Sequence, residues 1–287
     1  MKPYTLGIYE KALPELPDWE SMLRCAKQVG YDFLEMSIDE TEGRLSRLNM
    51  SAEQRQALCE AMGRAQLPIR SMCLSAHRKY PIGSHQPQVV QRGMEIMRSA
   101  IELADDLGIR VIMLAGYDVY YEDSDEETRR RFAENLRTCA DMAAQKGVLL
   151  AFETMETPFM NTVEKAMSFV RQIDSPFLQV YPDIGNVTNA VQETDGDVIS
   201  DLCAGRGHLA GLHLKETSPG VFRNLMYGDG YVNFEQAIHT AWKLGVRRYV
   251  TEFWYQGEAD WLERAQFACQ FARRLLNREV EKTCCKN

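Results

Sequence analysis

Four residues that can bind metal ions stand where apolar, β-branched-rich segments end. They are Glu153 in "AFETME", Asp183 in "YPDIGN", His213 in "GLHLKE" and Glu252 in "VTEFWY". Three carboxylates and an imidazole suit a divalent ion such as Zn²⁺, Mn²⁺, Mg²⁺ or Co²⁺. Taken singly, an acid in such a place is more often a helix cap, a loop residue or an ion-pair partner. The histidine is the rarer signal: the chain has 5, and only His213 falls inside a strand-like run. A buried carboxylate left unpaired is very costly, whereas a coordinated one is not. The conjunction of four donors therefore favours one metal site over four unrelated structural roles.

Such donors need a scaffold that gathers distant segments. Strand-like runs occur at 5–9, 32–38, 69–75, 111–116, 148–154, 178–184, 209–215 and 248–254. Helical patterns alternate with them, at 18–29, from Ser51, at 87–107, from Ser124 to Gly147, and at 161–173, 196–205, 233–244 and 258–277. Ser51 with Gln54, and Ser124 with Glu127, read as capping boxes, and Gly147 reads as a C-terminal cap. Strands that are apolar on both faces belong to parallel sheets, and eight strand–helix units close into a (β/α)₈ TIM barrel. The rival is a doubly wound open sheet. No G-x-G-x-x-G follows the first strand and no Pro/Gly-rich linker divides the chain, so one barrel domain over 1–287 is expected, with 280–287 as a loose C-terminal tail. In a barrel the four donors occupy the C-terminal ends of strands five to eight, where catalytic groups gather.

Composition sets the outer bounds. Lys plus Arg number 33 against 41 for Asp plus Glu, a formal charge of -8, which repels polyanions and argues against nucleic acid as a partner. No apolar run approaches the ~20 residues that span a bilayer, and "MKPYTLGIYEKALP" does not read as a signal peptide. A cytoplasmic protein is expected, with its 8 cysteines reduced, since none forms a C-x-x-C pair.

Longer motifs extend the site reading. "LGIYEKALP", "EMSIDET", "SMCLSAHR", "LAGYDVYYE", "YPDIGN", "HLKET" and the final "TEFW" closely resemble the L-ribulose-5-phosphate 3-epimerases, also called L-xylulose-5-phosphate 3-epimerases. These are xylose-isomerase-like barrels of bacterial L-ascorbate and pentose catabolism. The resemblance implies a metal held by Glu153, Asp183, His213 and Glu252, with Glu153 and Glu252 doubling as the acid–base pair. Epimerisation at C3 of a ketose removes a proton beside the C2 carbonyl and returns one from the opposite face. A metal stabilises the enediolate, and two carboxylates exchange the roles of base and acid. The same resemblance implies a pentulose 5-phosphate substrate and a homodimer.

Relatives acting on free ketohexoses carry a histidine at the position of Asn186, so that sugar contact is not carried over. The segment 187–205 departs from the family's form. Lys215 lies two residues past His213, on the same strand face, and is the favoured phosphate contact. Ser75, His77, Arg78, Lys11 and Arg223 are further candidates, and Tyr9 and Glu156 are placed at the sugar site. Two other readings share the fold: a free-ketose epimerase or aldose–ketose isomerase, and a non-catalytic sugar-phosphate-binding barrel.

Overall fold

The computed structural model describes residues 2–192 and 196–284. In chain order its elements are β1 (Thr5–Tyr9), α1 (Trp19–Val29), β2 (Phe33–Ile38), α2 (Glu42–Leu45), α3 (Ala52–Ala65), β3 (Ile69–Leu74), α4 (Pro87–Leu107), β4 (Val111–Ala115) and α5 (Glu126–Lys146). They continue with β5 (Leu149–Glu153), α6 (Val163–Ile173), β6 (Leu178–Tyr181), α7 (Ile184–Gln192), α8 (Val198–Ala204), β7 (Leu212–Leu214), α9 (Phe234–Lys243), β8 (Arg248–Thr251) and α10 (Trp261–Cys284).

The eight strands form one parallel sheet in the order β6-β5-β4-β3-β2-β1-β8-β7. The remaining seam, between β6 and β7, is closed by single bridges pairing Val180 with Leu209 and Asp183 with His213. These bridges make the sheet a barrel, with its strands buried on both faces as parallel strands are. Alternate residues face two apolar regions. Leu34, Met36, Met72, Leu150 and Leu214 pack outward against the helices, while Phe33, Cys73, Met113, Ala151, Tyr181 and Val250 fill the barrel's interior.

Local chemistry fixes the helix starts. The Ser51 hydroxyl accepts from the Gln54 N–H and the Gln54 side chain reaches back to the Ser51 N–H, the expected capping box. The α5 box is shifted by one residue: Asp125 caps it, with Thr128 as reciprocal partner, and Ser124 instead donates to Asp118. The tail also differs from expectation. Residues 280–284 continue α10, where Lys282 pairs with Glu279 and Thr283 accepts from the Trp242 indole. Residues 285–287 lie outside the described residues, as does the stretch 193–195.

Candidate active site and metal centre

Strands β5 to β8 deliver Glu153, Asp183, His213 and Glu252 to one end of the barrel. One ligand-type atom from each lies within 4.8 Å of the other three, and all four side chains are buried. The imidazole Nδ1 of His213 is 2.8 Å from Glu252 Oε2, 3.5 Å from Glu153 Oε1 and 4.0 Å from Asp183 Oδ2.

Asp183 shows how the sequence builds such a position. Pro182 ends β6, and α7 begins at the residue after Asp183. Asp183 Oδ1 accepts the Asn186 N–H at 2.7 Å, so this oxygen caps the helix. Oδ2 is buried and makes no hydrogen bond among the described residues; the Lys215 ammonium stands 3.0 Å from it and His213 Nδ1 4.0 Å. One oxygen of the carboxylate thus caps the helix while the other, without a hydrogen bond, faces an imidazole, an ammonium and two further carboxylates, an arrangement that could hold a cation. Gly185 permits the close approach of α7 to β7, because a Cβ there would stand 2.8 Å from the Lys215 carbonyl oxygen.

The electrostatics agree with that geometry. Burial, reinforced by the Glu252 carboxylate and opposed by Lys215, pushes the Asp183 carboxyl up to about 7. Burial disfavours a charged His213, but Glu35 and Glu252 outweigh it and raise the imidazole well above its ordinary range. For Glu252 burial acts upward, and Lys215 and His213 bring the net shift below the usual carboxylate range. The centre holds more negative charge than Lys215 and one imidazole offset, so its donors fit a divalent ion.

Tyr9, Ser75, Arg78, Glu156, Asn186 and Lys215 line the cleft above these four groups, together with Lys11, Phe222, Arg223 and Trp254. Lys215 does not point to the rim. It sits between Asp183 Oδ2 and Asn186 Oδ1, the latter at 2.8 Å, and 5.8 Å from the centroid of the Trp254 ring, so its charge is committed to the centre. Asn186 donates to the Thr154 carbonyl, which locks its orientation. Arg78 lies 3.9 Å from Glu156, and Tyr117 donates to the same carboxylate at 2.7 Å. Tyr9 shares a hydrogen bond with Ser37.

His77 is the exception. It is buried away from the cleft, with Nε2 3.1 Å from the Gly93 carbonyl of α4. Residues 75–78 form a 3₁₀ turn, in which positions three apart eclipse. Ser75 and Arg78 therefore share the cleft side and His77 is turned off it.

Sequence reasoning missed Glu35, Phe222 and Trp254. Glu35 lies inside the barrel, 2.6 Å from His213 Nε2. The signal was present, since an acid one position from the outward Leu34 and Met36 of a doubly buried strand must face inward. Phe222 and Arg223 are carried by the long segment after β7, which the buried Glu216 ties down by accepting from the N–H groups of Thr217, Gly228 and Val232.

Comparison with known proteins fits this arrangement. The family model described as a xylose isomerase-like TIM barrel matches residues 23–274. An L-ribulose-5-phosphate 3-epimerase UlaE from Shigella flexneri is 46% identical over 273 residues, covering 95% of both chains. The chain belongs to the L-ribulose-5-phosphate 3-epimerase family of xylose isomerase-like TIM barrels. A UlaE from Escherichia coli strain SE11 is 48% identical over 260 residues, 90% of each chain. Among solved structures, an L-ribulose 3-epimerase superposes with a TM-score of 0.78 at 18% identity, covering 99% of this chain and 98% of that one. A D-tagatose 3-epimerase-like protein gives 0.79 at 18%, covering 97% and 99%. At that identity the likeness extends to the fold of this epimerase-family chain and no further.

Proposed function

We propose that this chain is a divalent-metal-dependent 3-epimerase interconverting L-ribulose 5-phosphate and L-xylulose 5-phosphate. The observation that carries this reading is the meeting of four buried ligand-type groups within 4.8 Å of one another, with Asp183 Oδ2 lacking a hydrogen bond. The two UlaE relatives named for that reaction support the choice of substrate. Glu153, Asp183, His213 and Glu252 would hold the ion, one of Zn²⁺, Mn²⁺, Mg²⁺ or Co²⁺. When bound, it supplies positive charge against the negative charge developing on the substrate's oxygens.

The chain's own residues do the rest. Glu153 and Glu252 reach the cleft from strands three places apart around the barrel. One removes the C3 proton while the other returns a proton to the opposite face. Lys215 stands beside both Asp183 and Glu252 and donates to a substrate oxygen. Phe222 and Trp254 wall the cleft and exclude water. The other cations of the cleft, Lys11, Arg78 and Arg223, are the groups to meet a phosphate, Lys11 by exchanging its 2.5 Å ion pair with Asp39. The described cysteines are all unpaired thiols, in keeping with a reducing cytoplasm as the place of action.

The test uses L-ribulose 5-phosphate in D₂O. Deuterium is expected at C3, and Glu153→Gln or Glu252→Gln should each lower the exchange rate at least ~100-fold. Label at C1 or C2 would assign an isomerase, and near-normal rates in both variants would overturn the paired-carboxylate mechanism. A kcat/KM for free L-ribulose equal to that for the phosphate ester would remove the phosphate from the reading.

A further inference from the structure

Glu35 is a fully buried acid on β2, inside the barrel among Phe33, Cys73 and Val250. An apolar side chain would serve packing better there, since a carboxylate in such a layer must be compensated to be tolerated. Its compensation is specific. The Ser71 hydroxyl donates to Oε2 at 2.6 Å, and Oε1 lies 2.6 Å from His213 Nε2.

The backbone is arranged to make this meeting possible. Along the β2–β3 ladder Leu34 pairs with Ile69, but Glu35 pairs with Ser71, so Arg70 is an extra residue in β3. A bulge of this kind re-aims the side chains that follow it. Without it Arg70, not Ser71, would stand opposite Glu35.

We infer that Glu35 is a positioning residue for the metal centre: its carboxylate accepts the Nε2–H of His213 and so leaves Nδ1 bare toward the ion. The inference rests on the reading that Glu153, Asp183, His213 and Glu252 hold a divalent ion. An ionised carboxylate only accepts. Glu252 Oε2, 2.8 Å from Nδ1, is the rival acceptor for the ring proton; once an ion takes the Nδ1 lone pair, Oε1, with Oε2 receiving the Ser71 hydroxyl, holds that proton on Nε2. A carboxylate behind a ligating imidazole also raises the basicity of the coordinating nitrogen.

The experiment is calorimetric titration of Mn²⁺ into the metal-free parent and into Glu35→Gln, Glu35→Ala, His213→Ala and the Glu35→Gln/His213→Ala double variant, with thermal melts establishing that each is folded. Glu35→Gln preserves the shape and the contact with Ser71, so it stays informative should Glu35→Ala fail to fold. Glu35→Gln is expected to raise the Kd for Mn²⁺ at least ~10-fold, and Glu35→Ala up to ~100-fold. In the His213→Ala background the Glu35→Gln change should cost nothing further, because the effect passes through the imidazole. Nitrogen-15 NMR of histidine-labelled, Zn²⁺-loaded parent should place the His213 proton on Nε2. A parent that binds Mn²⁺ while Glu35→Gln stays within twofold of it overturns this inference alone. So does an undiminished Glu35→Gln loss in the His213→Ala background, which would assign a general charge effect. A parent that binds no Mn²⁺ overturns the metal-centre reading and this inference with it.

Discussion

Lys215 and a bound ion would compete for one atom. The ammonium stands 3.0 Å from Asp183 Oδ2 and 4.0 Å from Glu252 Oε2, with the surrounding carboxylates holding its pKa above the ordinary lysine range despite the burial that works downward. A cation so placed repels a second cation, yet it is well set to donate to a substrate oxygen. Replacing it should therefore separate binding from turnover. Lys215→Met is expected to leave Mn²⁺ affinity equal to or tighter than the parent's while kcat falls ~10²–10³-fold. Asp183→Asn, which removes a ligand charge, should instead weaken Mn²⁺ binding. Calorimetry alongside steady-state kinetics distinguishes the two patterns. A joint fall of affinity and turnover in Lys215→Met would reduce the lysine to scaffolding.

At the scale of elements, the turn after β3 converts a misplaced expectation into a stability argument. His77 is buried against α4, and burial, only partly countered by the Gly93 carbonyl, lowers its pKa to about 4. An unfolded chain protonates this ring near pH ~6.5. The depressed folded value means that His77 supports stability above that pH, and the support is lost as pH falls from ~6.5 toward ~4, amounting to about 3 kcal/mol in all. Between pH 7.5 and 5 the parent should lose about 2 kcal/mol more than His77→Gln, measured by urea unfolding in EDTA. Parallel losses would remove the histidine from the account.

The same element shows where sequence reading succeeds and stops. Strands were legible because burial on both faces leaves apolar runs, and the four clustered side chains were legible as a group because they end those runs. Helix α7 was not, since Ile184 to Val191 are all buried and no polar face marks a 3.6-residue period. Short α2 offers one turn, too little for any period. Glu35 escaped because its role depends on a bulge and on a partner 178 residues away, and neither is encoded locally.

The whole molecule has one weak line, and the candidate centre lies across it. Seven neighbouring strand pairs share ladders of three or more residue pairs, whereas β6 meets β7 through isolated bridges and three backbone bonds: Val180 N–H to His208, Ala210 N–H to Val180 and His213 N–H to Pro182. Asp183 belongs to one side of this seam and His213 to the other, with Glu153 and Glu252 on the strands flanking them. An ion held by all four would join β5 through β8 where the sheet holds itself least. Ion binding stabilises only the states that preserve the site, by about 2.7 kcal/mol at a free concentration 100 times Kd, and local openings cost less than global unfolding. Removing Mn²⁺ with EDTA should therefore speed hydrogen exchange at the Val180, Ala210 and His213 amides by up to ~100-fold. The amides of Met36 and Met72, in the β2–β3 pair on the opposite side of the barrel, should change far less. Equal acceleration on both sides would mean that the ion stabilises the barrel globally. No change at the seam would mean that the four side chains are not joined by a metal at all, because closure of this barrel and assembly of its centre are, on this geometry, the same event.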